Sequence, residues 1–188
     1  MIKKKILKGL IVSSSSFLMA KVQIPSNVHY IYYAKTDTNL NNKSICSKTN
    51  CIFINNLNSN NLYSMINSAR KQLHLPKYKR DSSIEYICRL HANDMKTNNF
   101  LSHIGSVGDN IVDRFKMINR KGCSVAEVIT VTKGFKKSEI KKSFKKALWN
   151  FFKSYKHKQI LLSRKYKKVG ISYTYKNNKF WWVIDLSS

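Results

Sequence analysis

Apolar residues begin to recur with a helical period at Leu62. Leu62, Met65, Ile66, Ala69 and Leu73 fall on one face, which predicts a first helix over residues 61–73, with Pro76 marking its end. After a basic loop, Ser82 with Glu85 three positions on matches a capping box. Ile84, Ile87, Cys88, His91, Ala92 and Met95 then form the apolar stripe of a second helix over 83–96. A turn carrying His103 follows, punctuated by Gly105 and Gly108. Asp109 is placed to cap a short helix in which Ile111, Val112, Phe115 and Ile118 are apolar, and Gly122 closes it. Over residues 124–132 the period changes to two, Val125, Glu127, Ile129 and Val131 alternating with Ala126, Val128 and Thr130, which predicts a strand. Ser138 is placed to cap a fourth helix. Its apolar stripe is Ile140, Phe144, Leu148, Phe151, Phe152 and Tyr155, with Lys137, Lys141, Lys142, Lys145 and Lys146 crowded opposite. His157 lies just past it, leading into a short apolar turn at 159–162. Residues 168–175 and 180–186 then read as a β-hairpin around Asn177 and Asn178. Helices, a strand, a helix and a closing hairpin predict an α+β fold in which helices pack on an antiparallel sheet.

The first third of the chain has no such period. Residues 1–8 are basic and residues 9–20 are mildly apolar, ending in the small residue Ala20. That is the pattern of a secretory signal peptide, too short for the roughly 20 apolar residues of a spanning helix. Cleavage near Ala20 is the preferred reading and a retained anchor the alternative; both place the protein in the extracytoplasmic space, secreted or in the cell envelope. Residues 21–60, rich in Asn, Ser, Thr and Lys, read as a poorly ordered leader or linker. An oxidising compartment permits disulfides, and the four cysteines allow three pairings. Cys46 and Cys51 flank a short loop, Cys88 and Cys123 would tie a helix to a later turn, and a free, buried Cys88 fits equally well.

Charge alters the picture further. With 188 residues, 43% of them hydrophobic, the chain makes one ordinary domain, yet it carries 35 Lys+Arg against 9 Asp+Glu. Loss of residues 1–20 and their four lysines takes the formal net charge from +26 to +22. Anionic partners follow from that excess: a membrane surface, lipid, a cell-wall polymer or nucleic acid. Export argues against nucleic acid. The lysines are spread along the chain, so a compositional origin accounts for them equally well.

Two positions stand out chemically. Glu127 shares its strand face with three Val or Ile side chains, where a carboxylate is costly unless a cation pairs with it or the strand lies at an edge open to water. His91 lies on an apolar helix face, where a histidine is ordinarily a hydrogen-bonded core residue.

The order of segments resembles the CAP superfamily, also called SCP, in its bacterial secreted form. LYSMINSARKQLHL resembles that family's first helix, with Asn67 and Arg70 in place, and IEYICRLHANDMKTNNFLSH its second helix, ending in a serine-histidine pair. VGDNIVDRF, with Arg114, resembles the next helix. AEVI corresponds to the glycine-glutamate-asparagine strand, SYKH to the serine-proline-glycine-histidine turn, and KKVGISY with FWWVIDL to the closing strands. The resemblance covers about residues 60–188, which places a CAP/SCP domain at 61–188, and implies an α-β-α sandwich with a central antiparallel sheet.

By the same resemblance His103 and His157 match the two cavity histidines and Glu127 the strand glutamate, while Ser154 stands where animal members carry a second glutamate. Two imidazoles and a carboxylate are ligands that zinc or a similar divalent ion accepts. Their separations, 24 and 30 residues, are not a ligand-spacing motif, so only a fold can assemble them. Without metal the same trio is a hydrogen-bonded cluster in which Glu127 orients a histidine. Ser154 lies near His157 but in no GxSxG elbow. The expected function is binding through the cleft and the basic face, with metal-assisted hydrolysis by His103, Glu127 and His157 as the alternative.

Overall fold

A computed structural model of the chain describes residues 61–188 and, before them, only the backbone of three short strands. These are β1 (Ile31–Tyr32), β2 (Ser44–Ser47) and β3 (Cys51–Phe53), an antiparallel sheet in the order β1-β2-β3. The signal segment at 1–20 lies outside the described residues, as does the remainder of the linker at 21–60. Cys46 and Cys51 occupy opposite register positions on β2 and β3, but the question of a bridge between them concerns side chains outside the described residues.

The described domain runs α1 (Leu62–Gln72), β4 (Lys79–Arg80), α2 (Ser82–Thr97), α3 (Ile111–Met117), β5 (Val125–Lys133), α4 (Ile140–Lys153), α5 (Tyr155–Leu161), β6 (Lys168–Lys176) and β7 (Lys179–Ser187). The expected helices and strands are present, while several caps differ. Asp81 caps α2, its Oδ1 accepting from the Ser83 and Ile84 amides, so Ser82 is already helical and Glu85 turns to Arg80. Asn110, not Asp109, caps α3 in a box with Asp113. Ser138 sits inside a 3₁₀ turn, Lys137–Glu139, that leads into α4. The apolar turn expected around His157 is the helix α5. Ser154 breaks α4 with an extended backbone, and its Oγ accepts from the His157 amide, so one serine stops one helix and starts the next.

The sheet order is β4-β6-β7-β5. Strands β5, β7 and β6 are antiparallel, and β4 adds a two-residue parallel edge, which makes the sheet mixed. The β6–β7 turn holds Asn177 and Asn178 at φ 49° and 56°, the left-handed pair that a two-residue hairpin requires. Helices α1, α4 and α5 cover one face through Phe144, Phe151, Phe180 and Trp182. Helices α2 and α3 cover the other through Ile84, Ile87, Phe115, Trp181 and Val183, which completes the α-β-α sandwich. The close approach of α2 to β6 is made possible by Gly170, where a Cβ would lie 2.4 Å from backbone atoms of Ile84 and Glu85. Asn67 and Arg70 serve this architecture: Asn67 accepts from the Tyr78 amide, and the Arg70 guanidinium stacks on the Tyr78 ring and donates to the carbonyls of Pro76, Leu161 and Ser163.

Cys88 and Cys123 are free thiols. Cys88 is buried under α2 and donates to the Gly170 carbonyl at 3.3 Å, which favours the free-thiol reading over a tie between them.

Candidate functional site

The site assembles around Glu127. β5 is an edge strand, as one reading of that carboxylate required, yet Glu127 is not open to water: its side chain is 2% exposed. Burial is tolerated because both oxygens are bonded. Oε1 lies 2.7 Å from His103 Nδ1, and Oε2 accepts from Arg114 Nη2 at 2.8 Å. Arg114 projects from α3 and is itself buried, with its second nitrogen 2.8 Å from Asp109 Oδ2. Burial works to lower the Arg114 pKa, but the charge of Glu127 and then the bond to and charge of Asp109 outweigh it, and the net shift is upward. The cation is therefore secure.

The loop bearing His103 is fixed at several points. His91 Nε2 lies 2.9 Å from the Ser102 carbonyl, so it carries the proton and donates. The same nitrogen is 3.7 Å from Glu127 Oε2. Burial, followed by the opposing influences of Glu127 and Arg114, lowers the His91 pKa and keeps the ring neutral. Arg114 Nη2 also donates to the His103 carbonyl at 3.2 Å. Further out, Asp94 accepts from the Ser106 amide and hydroxyl, clamping the loop to α2. Gly105 leaves room for the Asp109 carboxylate, since a Cβ there would lie 2.1 Å from Asp109 Oδ1 and push that side chain aside.

The consequence is a histidine with defined chemistry. The Glu127 bond places a proton on His103 Nδ1, leaving Nε2 as the acceptor of the neutral ring. With the side chain 55% exposed, that face meets solvent. His157, half-buried, stacks edge-on to Phe151 at 5.8 Å; burial and then the nearby charge of His103 lower its pKa. The fold thus brings His103 together with Glu127 and sets His157 within electrostatic reach, but no hydrogen bond joins the two histidines.

A metal set of His103, Glu127 and His157 does not fit this arrangement. The Glu127 oxygens are committed to His103 and Arg114. Among the described residues no three His, Cys, Asp or Glu side chains stand where they could hold a metal ion. Ser154 acts as a helix cap, its Oγ facing a backbone amide.

Sequence reasoning underweighted two residues and missed a third. His91 is a core histidine, as read, but it belongs to the Glu127 cluster; Arg114 is the cation that the buried carboxylate demanded. Asp185 gave no signal beyond being an acid within FWWVIDL. It lies opposite Glu127 and Gly170 in the sheet, is wholly buried, and neither oxygen meets a partner in hydrogen-bonding geometry. Burial first, and the Glu127 charge second, push its carboxyl well above the ordinary range, so the neutral acid is favoured.

The comparisons agree with this architecture. The model of the cysteine-rich secretory protein family, CAP, matches residues 63–186. An outer surface protein from Borrelia burgdorferi superposes with a TM-score of 0.58 at 19% identity, over 68% of this chain and 89% of that one. An extracellular protein containing an SCP domain from Bacillus anthracis gives 0.56 at 20% identity, over 67% of this chain and 38% of that longer one. At these identities the likeness is one of fold. No curated protein matches the sequence.

Proposed function

We propose, from the premise that the chain belongs to the CAP or cysteine-rich secretory protein family, that it is an extracytoplasmic binding domain whose basic α4 face engages an anionic envelope surface. The N-terminal signal pattern and the two structural relatives, described as outer-surface and extracellular proteins, support the location. The observation that carries the binding reading is the division of α4. Phe144, Ala147, Leu148 and Phe151 are buried in the core, while Lys141, Lys142, Lys145 and Lys146 are exposed, and only Lys142 of these has an acidic partner among the described residues. Clustered, exposed cations attract anionic lipid or polymer at roughly 1 kcal/mol each near a charged membrane.

The hydrolase reading draws support from His103 alone, whose outward Nε2 is backed by Glu127 in the manner of an oriented base. It lacks an assigned nucleophile, and Ser154 is occupied as a cap. Binding is the better-supported function.

Sedimentation with phosphatidylglycerol and phosphatidylcholine vesicles tests it. The chain should bind the former in a salt-sensitive manner, and changing Lys141, Lys142, Lys145 and Lys146 together to Gln should abolish binding. Equal binding to both vesicles, or full binding by the quadruple variant, would remove the proposal.

A further inference from the structure

A second positively charged surface lies on the other side of the sheet, at the hairpin end. Lys133 of β5 stands directly opposite Lys179 of β7, and Lys179 directly opposite Lys176 of β6. Directly opposed residues of antiparallel strands share a face, so the three lysines form one row across adjacent strands about 4.8 Å apart. Like charges in that relation oppose one another. Among the described residues no carboxylate forms an ion pair with any of the three. No carboxylate of the described residues offsets the row, and solvent is left to screen most of it.

Next to it is an open surface depression of about 230 Å³. Lys133 and Lys179 form its charged rim, and Phe100, Leu101, Val131 and Trp181 its apolar walls. The wall nearest α2 is firmly built. Asn99 turns the chain at φ 52°, the Phe100 amide donates back to the Met95 carbonyl, and the Phe100 carbonyl accepts from Trp181 Nε1 at 3.0 Å. Asn99 Oδ1 lies 3.5 Å from Lys179 Nζ and steadies that ammonium at the rim. Leu101 remains half exposed, an apolar side chain available to a ligand.

We propose that this end of the sheet is a binding site for a compact phosphate monoester bearing an apolar substituent. A phosphate monoester carries close to two negative charges at neutral pH and three acceptor oxygens, which suits ammonium groups on neighbouring strands. The substituent lies against Leu101 and Val131. The volume of the depression exceeds the roughly 150 Å³ that encloses a benzene ring, so a ring or a short alkyl chain fits with one side open to solvent. The site is independent of the α4 face, since Val131 and Trp181 belong to the α2 side of the sheet and Phe144 of α4 to the other.

The test is titration of the full chain with phenyl phosphate, following the Trp181 Nε1–H resonance, which a Trp181→Phe variant assigns. Saturable binding is expected, with inorganic phosphate and phenol each weaker by about tenfold or more, a difference of about 1.4 kcal/mol per decade. The Lys133→Gln/Lys179→Gln variant should lose about tenfold in affinity for phenyl phosphate. Without ligand it should melt at or above the wild-type temperature, because the opposed charges are gone. Leu101→Gln should weaken phenyl phosphate but not inorganic phosphate. The α4 quadruple variant should bind phenyl phosphate as the wild type does, which separates this site from the envelope-binding face. Equal affinity for phenyl phosphate and inorganic phosphate, unchanged binding in the double lysine variant, or loss of binding in the α4 variant would each overturn the proposal. Comparison with phosphatidic-acid vesicles in the α4 quadruple variant, which lacks the envelope-binding lysines, then distinguishes a lipid source of the monoester from a soluble one.

Discussion

Replacing Arg114 by Met tests whether the cleft is held together by one buried cation. The guanidinium donates to Glu127 Oε2 and Asp109 Oδ2, each at 2.8 Å, and to the carbonyls of His103 and Asp109 at 3.2 Å. Methionine retains most of the apolar stem but none of these donors. Asp109 is partly exposed and recovers water, whereas the Glu127 side chain, 2% exposed, cannot. Removing one partner of a buried ion pair costs about 3–5 kcal/mol, mostly for the charge left behind. Against a domain stability of about 5–15 kcal/mol the loss is severe, and at about 3 °C per kcal/mol it lowers the melting temperature by about 10 °C. Urea unfolding followed by tryptophan fluorescence measures it, with the m-value showing whether the two-state comparison is sound. The decisive control is Arg114→Met combined with Glu127→Leu, which removes both charges and should recover most of the lost stability. The double variant should still lose amide protection over residues 98–110, because His103 has then lost its anchors. A single variant within about 1 kcal/mol of the wild type, or a double variant no more stable than the single, would refute the buried-charge argument.

Two other outcomes follow from the same geometry. The Asp185 carboxyl is raised above the ordinary aspartate value of 3.8, so its contribution is fully present below that pH and is lost as pH rises toward the folded value. Asp185→Asn should therefore have little effect near pH 3 and stabilise progressively above it; a pH-independent difference in urea midpoints would contradict this. Gly170→Ala places a Cβ against the α2 backbone and should cost about 3 kcal/mol or more, the upper end for overpacking; a melting temperature equal to the wild type would show that α2 can shift away.

Much of this protein was legible along the chain because the relevant signals are local. The stripe at Leu62, Met65, Ile66 and Ala69, the alternation around Glu127, and the Asn177-Asn178 turn each reflect a period or a backbone preference that a short segment carries by itself. The resemblance of the segments to the CAP family marked His103, Glu127 and His157 as a group. Caps were less legible, since Asp81 and Ser82, or Asp109 and Asn110, are adjacent residues of similar capping power and only the settled backbone chooses between them. The sequence determined that a carboxylate on the Val125–Val131 face must find either a cation or water. Tertiary structure decided that the partner is Arg114, that His91 and Asp185 join the cluster, and that Ser154 serves a helix end. The Ser154 cap is a local matter of three residues, whereas the Glu127 cluster depends on residues 13 to 58 positions apart meeting on the sheet, and only the packing of α2 and α3 on β5 and β7 brings them there.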